Sequence, residues 1–272
     1  MPASEGMWRS RAVTPAGRQR AHPAVMVVGR LLIGAAAIWA LLSALGLILT
    51  HVFDTGPVHR ADLGVDVWFF HHRSPGWNSV MLAGTTMAET LTVIIATAAI
   101  ALLMRWRLGH WWMSVLLITS VVGEVLIFLA VTATVPQRRP PVPKLQHVPP
   151  TSSYPSGHTA AAVALYCCVA VLILMIYAGH PAARVTAGVL FLVPAFVAFA
   201  RLYLGEHYPS DVIAGALLGA LWLNHVFRTL TREVDVVSGQ REPGDRERGG
   251  REPGRRSGRR GASRRLAGFI RS

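Results

Sequence analysis

Six long apolar stretches constrain this chain more than any other feature of its sequence. A bilayer core of about 30 Å is crossed by about 20 mostly apolar residues in a helix. Stretches that meet this requirement lie at 31–50, about 80–104, about 111–135, about 159–178, about 185–204 and about 212–230. Only 15% of the residues are charged, whereas an ordinary soluble domain has about 25%. We therefore predict an all-α, polytopic membrane protein with six transmembrane helices.

The positions of the basic residues predict how these helices are oriented. With six spans, both ends of the chain lie on the same side as the links that carry Arg105, Arg107 and Arg184. Because such residues are enriched in cytoplasmic segments, we expect that side to be the cytoplasm. The predicted domains are a basic cytoplasmic segment at 1–26, a six-helix membrane domain at 27–232 and an Arg/Gly-rich tail at 233–272. The first apolar run is expected to be retained, because it is too long for the core of a signal peptide.

The formal net charge of +13 by itself suggests a nucleic-acid-binding protein, but the arginines cluster at the two ends of the chain. The tail repeats Arg-Glu-Pro-Gly at 241–244 and 251–254, which is low-complexity sequence that predicts disorder. Such a tail either is solvated and helps to fix the topology or attaches electrostatically to anionic lipids of the inner leaflet. No nucleic-acid partner is expected, and the sequence leaves the oligomeric state open.

Several other polar and aromatic residues have two interpretations each. The aromatic segment 66–70 in the loop 51–79 predicts an interfacial helix or a loop with membrane-anchoring side chains. Glu89 and Glu124 fall within predicted spans and are either functional or hydrogen-bonded to a neighbouring helix. No tight ligand spacing favours a metal site, so that neither a metal nor another cofactor is predicted, and surface positions are expected for His51, His71, His72 and His147.

Three polar clusters follow or precede predicted helices on the outer side. Gln137-Arg138-Arg139-Pro140-Pro141 follows span three, Tyr154-Pro155-Ser156-Gly157-His158 precedes span four, and the segment 201–211 joins spans five and six. Six spans with cytoplasmic termini place all three clusters at the extracytoplasmic face. We therefore expect residues far apart in the sequence to form one site there.

The residue types in these clusters suit the chemistry of phosphate groups. Arg138 and Arg139 can bind phosphate in bidentate fashion. A helix that begins at Ser156 and Gly157 offers free N–H groups and the positive end of its dipole to an anion, and His158 is placed beside them to deliver a proton.

The third cluster supplies a candidate nucleophile. Arg201 lies near the end of span five, His207 lies in the turn, and Asp211 lies in the first turn of span six. This spacing lets Asp211 accept a hydrogen bond from one nitrogen of His207, so that the other nitrogen is free to attack.

At these residues the sequence resembles the type 2 phosphatidic acid phosphatase, or lipid phosphate phosphatase, superfamily. The signature of that superfamily is Lys-x6-Arg-Pro, then Pro-Ser-Gly-His, then Ser-Arg-x5-His-x3-Asp. The second part is complete here, and the third is present except that Ala200 replaces serine. The first part is reduced to Arg139-Pro140, because Thr132 stands where the lysine is expected.

The resemblance implies a metal-independent phosphatase with a phosphohistidine intermediate. His207 would attack phosphorus, Asp211 would orient His207, and His158 would protonate the leaving oxygen. The phosphate would be held by Arg139, Arg201, Ser156 and the N–H of Gly157. We predict that Arg138 replaces the charge lost at Thr132.

The sequence therefore predicts a membrane enzyme that hydrolyses the phosphate or diphosphate headgroup of a lipid. A polyprenyl diphosphate such as undecaprenyl diphosphate is the first candidate substrate by family analogy, followed by phosphatidic acid or phosphatidylglycerol phosphate. Two alternatives remain: a lipid phosphotransferase that uses the same histidine, and a phospholipid-binding membrane protein whose turnover is impaired by the changes at Thr132 and Ala200.

Overall fold

The computed structural model describes residues 23–52, 55–109, 111–147, 150–177 and 179–240. The described chain contains helices and no strand: α1 Pro23–His51, α2 Pro57–His71, α3 Pro75–Thr86, α4 Thr90–Leu108, α5 Trp112–Thr134, α6 Gly157–Ala162, α7 Cys168–Tyr177, α8 Pro181–Tyr203 and α9 Pro209–Gln240. A π-helical turn at Val163–Cys167 joins α6 to α7, so that Gly157–Tyr177 is one continuous span. The predicted segment 1–26 is described only from residue 23.

Six helices are long and apolar enough to cross a membrane, as predicted. They are Ala24–His51, Thr90–Leu108, Trp112–Thr134, Gly157–Tyr177, Pro181–Tyr203 and Pro209–Thr231. The all-α, polytopic fold is thus confirmed. Helix α9 continues to Gln240, eight residues beyond the predicted end of the membrane domain at 232, and the rest of the tail lies outside the described residues.

The second span begins about ten residues later than predicted. The apolar stretch that starts near residue 80 divides into α3 and α4, and Glu89 occupies the N-cap position of α4. Glu89 therefore lies at the start of a span instead of within it, which avoids the cost of a charge at membrane depth. Glu124 does lie within its predicted span, α5, and its side chain is buried.

The aromatic segment belongs to a helix, which decides between the two interpretations of the loop 51–79. Helix α2 begins with Pro57 at its first position and buries Asp62, Asp66 and Phe69. These residues recur at helical spacing, so that one face of α2 packs inward. That face contacts α8 and α9, which bring their polar ends to the site.

Two glycines of α9 allow it to pack closely against the start of α6. A Cβ atom on Gly215 would lie 2.3 Å from the carbonyl oxygen of Ser156, and one on Gly219 would lie 2.7 Å from that of Ala160. Both distances are too short for any residue with a side chain. The absence of side chains at these positions lets the Pro-Ser-Gly-His segment lie directly beside the segment 207–211.

Candidate active site

The three polar clusters meet at one end of the helix bundle. Arg139, after α5, donates from Nη1 to the carbonyl oxygen of Glu206 at 3.0 Å. The N–H of Ser156, at the start of α6, donates to the carbonyl oxygen of Asp211 at 2.9 Å. Direct hydrogen bonds therefore join the first and second clusters to the third.

His207 is held in one orientation by a backbone carbonyl. Its Nδ1 lies 2.8 Å from the carbonyl oxygen of Ser153. Because a carbonyl only accepts hydrogen bonds, Nδ1 carries the proton and Nε2 keeps its lone pair. Nε2 lies 3.5 Å from Nη2 of Arg201. The tautomer is therefore the one that a nucleophile at Nε2 requires.

Burial and positive charge keep His207 neutral. Its side chain is almost fully buried, which disfavours the imidazolium form. Burial, together with the guanidinium groups of Arg201 and Arg139, holds the pKa of His207 well below its usual range. The imidazole is therefore unprotonated at neutral pH.

Asp211 acts on His207 mainly through the surrounding backbone, which differs from the direct hydrogen bond expected. Its Oδ2 lies 3.7 Å from Nδ1 of His207, beyond hydrogen-bonding distance, because the Ser153 carbonyl takes that proton. The same oxygen accepts hydrogen bonds from the Ser153 hydroxyl and from the N–H of Tyr208 at 2.9 Å. Asp211 thereby fixes both the segment that binds Nδ1 and the turn that carries His207.

Two guanidinium groups lie in the electrostatic environment of this histidine. Arg201 is buried at the end of α8, donates from Nη1 to the hydroxyl of Thr85 at 2.8 Å, and pairs through Nη2 with the carboxylate of Glu206. Arg139 is half-buried, and burial lowers its pKa without removing its charge at neutral pH. Two such groups near a neutral histidine are suited to bind a phosphate group.

The start of α6 lies beside these cations. Ser156 is fully buried and its hydroxyl contacts the hydroxyl of Thr159 at 3.1 Å. A Cβ atom on Gly157 would lie 2.8 Å from the ring of Phe128, so any other residue here would have to displace that ring. His158 is half-buried and lies in the electrostatic environment of His207, Arg201 and Arg139.

Thr132 and Ala200, which depart from the superfamily signature, lie in surroundings that differ from each other. Arg138 is exposed and lines a polar depression of about 590 Å³ together with Thr132. In the part of the chain that the structure describes, no hydrogen bond joins Arg138 to His207 or Arg201. The proposed replacement of the lost charge by Arg138 stays a prediction. Ala200 is fully buried.

Four residues of this end of the bundle have roles that the sequence did not reveal. Ser153 acts through its backbone carbonyl and its hydroxyl, and Thr85 acts through its hydroxyl alone. Neither residue belongs to a recognisable sequence motif. Glu206 was visible only as part of a polar turn. Asp62 of α2 accepts hydrogen bonds from the N–H of Ser210 at 3.2 Å and from its hydroxyl at 2.5 Å, which binds α2 to the start of α9.

No group of three His, Cys, Asp or Glu side chains within the described ranges is arranged to hold a metal ion. Cys167 and Cys168 are free thiols in the fourth span.

Comparison with known proteins matches one segment of the chain to a family model. Residues 133–235 match the family model of the PAP2 superfamily, and this range contains all three polar clusters. The resemblance inferred from the sequence is thus confirmed. No curated protein sequence matches the chain significantly.

Two solved structures are similar to this chain. One is a transmembrane PAP2-type phosphatidylglycerolphosphate phosphatase from Bacillus subtilis, with a TM-score of 0.61 and 23% identity, matched over 79% of this chain and 96% of that one. The other is Aquifex aeolicus LpxE, with a TM-score of 0.47 and 19% identity, matched over 62% of this chain and 95% of that one. The first comparison shows that the chain shares the fold of a membrane PAP2 protein.

Proposed function

We propose, from the premise that residues 133–235 form a PAP2 superfamily segment, that this protein is a membrane phosphatase acting on lipid phosphates. The observation that carries the proposal is the pairing of a neutral, oriented His207 with two guanidinium groups at one end of a six-span bundle. A site at the end of membrane helices suits a substrate that keeps its acyl or prenyl chain in the bilayer.

In the proposed first step, Nε2 of His207 attacks phosphorus and the bond from phosphorus to the leaving oxygen breaks. His158 gives its proton to that oxygen. Arg201 and Arg139 bind the phosphoryl oxygens as charge develops on them. Ser156 and the N–H of Gly157 complete the set of donors at the start of α6, and Arg138 contributes further positive charge from the polar depression that it shares with Thr132.

In the proposed second step, water attacks the phosphohistidine and the bond from phosphorus to nitrogen breaks. His158, now neutral, takes the proton from the water, which balances the proton that it gave in the first step. Inorganic phosphate leaves. The Ser153 carbonyl holds Nδ1–H throughout, and Asp211 holds the Ser153 segment, so that Nε2 returns to the same position.

The substrate is proposed to be a lipid with a phosphate or diphosphate headgroup. A polyprenyl diphosphate is first by analogy with the superfamily, and phosphatidic acid and phosphatidylglycerol phosphate are next. The name of the Bacillus subtilis protein includes the last of these, but its fold alone does not transfer the substrate. We further propose cytoplasmic termini and an extracytoplasmic site, because the links that carry Arg105, Arg107 and Arg184 lie at the opposite end of the bundle from the three clusters.

The test is release of phosphate by the full-length protein in detergent with EDTA. The three lipids are offered separately, and a lipid or sugar acceptor is added in a parallel series. We expect phosphate release from at least one lipid. Transfer of the phosphate to the acceptor without release would support the phosphotransferase alternative, and binding of lipid without either reaction would support an impaired binding protein.

A further inference from the structure

Glu206 is a buried carboxylate within the proposed phosphate site that the mechanism above does not use. It lies in the turn between α8 and α9, directly before His207, and its side chain is fully buried. Its Oε2 pairs with Nη2 of Arg201. The same Nη2 lies 3.5 Å from Nε2 of His207. The Glu206 carboxylate therefore already pairs with the guanidinium nitrogen of Arg201 that lies nearest the proposed nucleophile.

The backbone of Glu206 is held from both sides. Its N–H donates to the carbonyl oxygen of Arg201 at 3.2 Å, and its own carbonyl oxygen accepts from Arg139 at 3.0 Å. The carboxylate consequently cannot reach water by a movement of the turn unless these bonds break. The backbone of Glu206 therefore stays beside Arg201 when another anion binds there.

A phosphate group and an ionised Glu206 carboxylate would repel each other if both were bound beside the Arg201 guanidinium. Arg201 is buried and needs a counter-ion, because a buried charge without a partner is strongly destabilising. Glu206 provides that counter-ion when the site is empty. An arriving phosphate group replaces it on the guanidinium and brings its own negative charge close to the carboxylate, and like charges in a buried site favour protonation of one of them.

We propose that Glu206 is the resting counter-ion of Arg201, and that a phosphate group takes its place on Arg201 with uptake of one proton by the Glu206 carboxyl group. Once protonated, Glu206 no longer repels the anion and can donate its O–H to a phosphoryl oxygen. The inference rests on the proposed function, because it assumes that Arg201 binds the phosphate group. It adds that binding of the headgroup weakens as pH rises.

The surroundings of Glu206 support this protonation. Burial raises the pKa of Glu206, although the guanidinium groups of Arg201 and Arg139 oppose that effect. The charged or titratable groups around the pair are Arg139 after α5, His158 on α6, His207 in the same turn, Asp211 on α9, and Glu89 before α4, which acts on Arg201. Burial and the two guanidinium groups hold the pKa of His207 well below its usual range, so the histidine variants described below are needed to tell its protonation from that of Glu206.

Binding of inorganic sulfate to the full-length protein in detergent tests the proposal. Sulfate is a tetrahedral dianion that does not itself titrate between about pH 5 and about pH 9, so any proton taken up comes to the protein. Calorimetry in buffers with different ionisation enthalpies measures this uptake. We expect the wild-type association constant to fall by about tenfold for each pH unit above the pKa of Glu206, with uptake of one proton.

Glu206→Gln removes the charge and keeps the shape of the side chain. We expect it to bind sulfate at least tenfold more tightly than the wild type at about pH 8, with no dependence on pH and no proton uptake. Glu206→Asp keeps the carboxylate and should keep the pH dependence. His207→Asn and His158→Asn should also keep it, whereas Arg201→Gln should lose sulfate binding.

The outcomes separate this inference from the proposed function. If Glu206→Gln binds sulfate with the wild-type pH dependence, or more weakly than the wild type while its melting temperature is unchanged, the inference is overturned and the phosphatase proposal stands. If His207→Asn or His158→Asn abolishes the pH dependence, a histidine takes up the proton and the inference is again overturned. If the wild type and Glu206→Gln both fail to bind sulfate, the anion site itself is refuted, and the proposed function then depends on the separate lipid assay.

Discussion

The Nδ1 of His207 donates a hydrogen bond to the backbone carbonyl oxygen of Ser153 at 2.8 Å. This bond fixes the imidazole without a direct hydrogen bond from Asp211, whose carboxylate lies 3.7 Å from the same nitrogen. The Ser153 hydroxyl in turn donates to Asp211. The orientation of the proposed nucleophile therefore depends on the position of a short backbone segment, and the carboxylate holds that segment in place.

Removing the Ser153 hydroxyl should cost less activity than removing the Asp211 carboxylate. Ser153→Ala keeps the carbonyl that binds Nδ1 and loses one hydrogen bond to a charged group, which is worth about 1.5–3 kcal/mol. We expect kcat to fall by about ten- to a hundredfold. Asp211→Ala loses the acceptor for two hydrogen bonds and the negative charge near Nδ1, so kcat should fall at least tenfold further. Equal kcat values for the two variants would contradict this arrangement.

The two adjacent arginines after α5 should differ in their contributions to catalysis. Arg139 is hydrogen-bonded to the turn of His207, whereas Arg138 is exposed beside Thr132. We expect Arg139→Gln to lower kcat/KM by at least a hundredfold, because it removes a charge-assisted contact with phosphate and a bond to the turn. Arg138→Gln, its matched neighbour, should cause a smaller loss. An unchanged kcat/KM in Arg138→Gln would refute the role of Arg138 as the substitute for the missing lysine.

Asp62 should affect activity through the start of α9. Its carboxylate accepts two hydrogen bonds from Ser210, and Ser210 lies directly before Asp211. We expect Asp62→Ala to lower kcat more than it raises KM, since the displaced turn carries the proposed nucleophile and no phosphate-binding arginine. Asp62→Asn keeps an oxygen acceptor and should recover much of the loss. A change in KM alone would show that α2 acts on substrate entry instead.

Asp66 should make the protein less stable as pH rises. It is fully buried on α2, and neither carboxylate oxygen has a hydrogen-bond partner among the described residues. Burial and the neighbouring Asp62 and Asp211 raise the pKa of Asp66 to about 8. A carboxyl group with a raised pKa in the folded state favours the unfolded state increasingly as pH rises from its ordinary value of 3.8 to about 8.

Replacement of this group by a neutral amide should remove that pH dependence. We expect the melting temperature of Asp66→Asn in detergent to exceed that of the wild type at about pH 8, and the difference to shrink towards about pH 4. Thermal unfolding across this range measures both proteins. A wild-type protein that is the more stable of the two at about pH 8 would contradict the prediction.

Much of the fold could be predicted because membrane spans depend on length and composition. Four of the six spans, the third to the sixth, begin and end within a few residues of their expected positions. The helix of the first span extends about seven residues further at its start. The start of the second span could not be predicted because hydropathy does not register the break between α3 and α4, where Glu89 occupies the N-cap position. The sequence does not decide whether the aromatic segment 66–70 forms a helix, because its residues suit an interfacial helix and an anchoring loop equally well.

The residues of the candidate site that belong to sequence motifs could be predicted. The residues that reach the site only because the chain folds there could not. Proximity of the three clusters follows from counting spans, since helix ends alternate between the two faces. Thr85 lies 116 residues before the arginine that it binds, and the role of Ser153 depends on its carbonyl, which every residue possesses. Contacts of this kind arise from packing and leave no pattern in the sequence.

Phosphate release by His207→Asn tests the central claim most directly. The full-length wild type, His207→Asn and the control His71→Asn are assayed in detergent with EDTA on the lipid that the wild type hydrolyses best. His71 lies at the exposed end of α2 and serves as a matched histidine away from the site. The account predicts full release by the wild type and by His71→Asn, and no release by His207→Asn above the rate without enzyme. Release by His207→Asn at a rate close to that of the wild type would contradict the proposed role of His207 as the nucleophile.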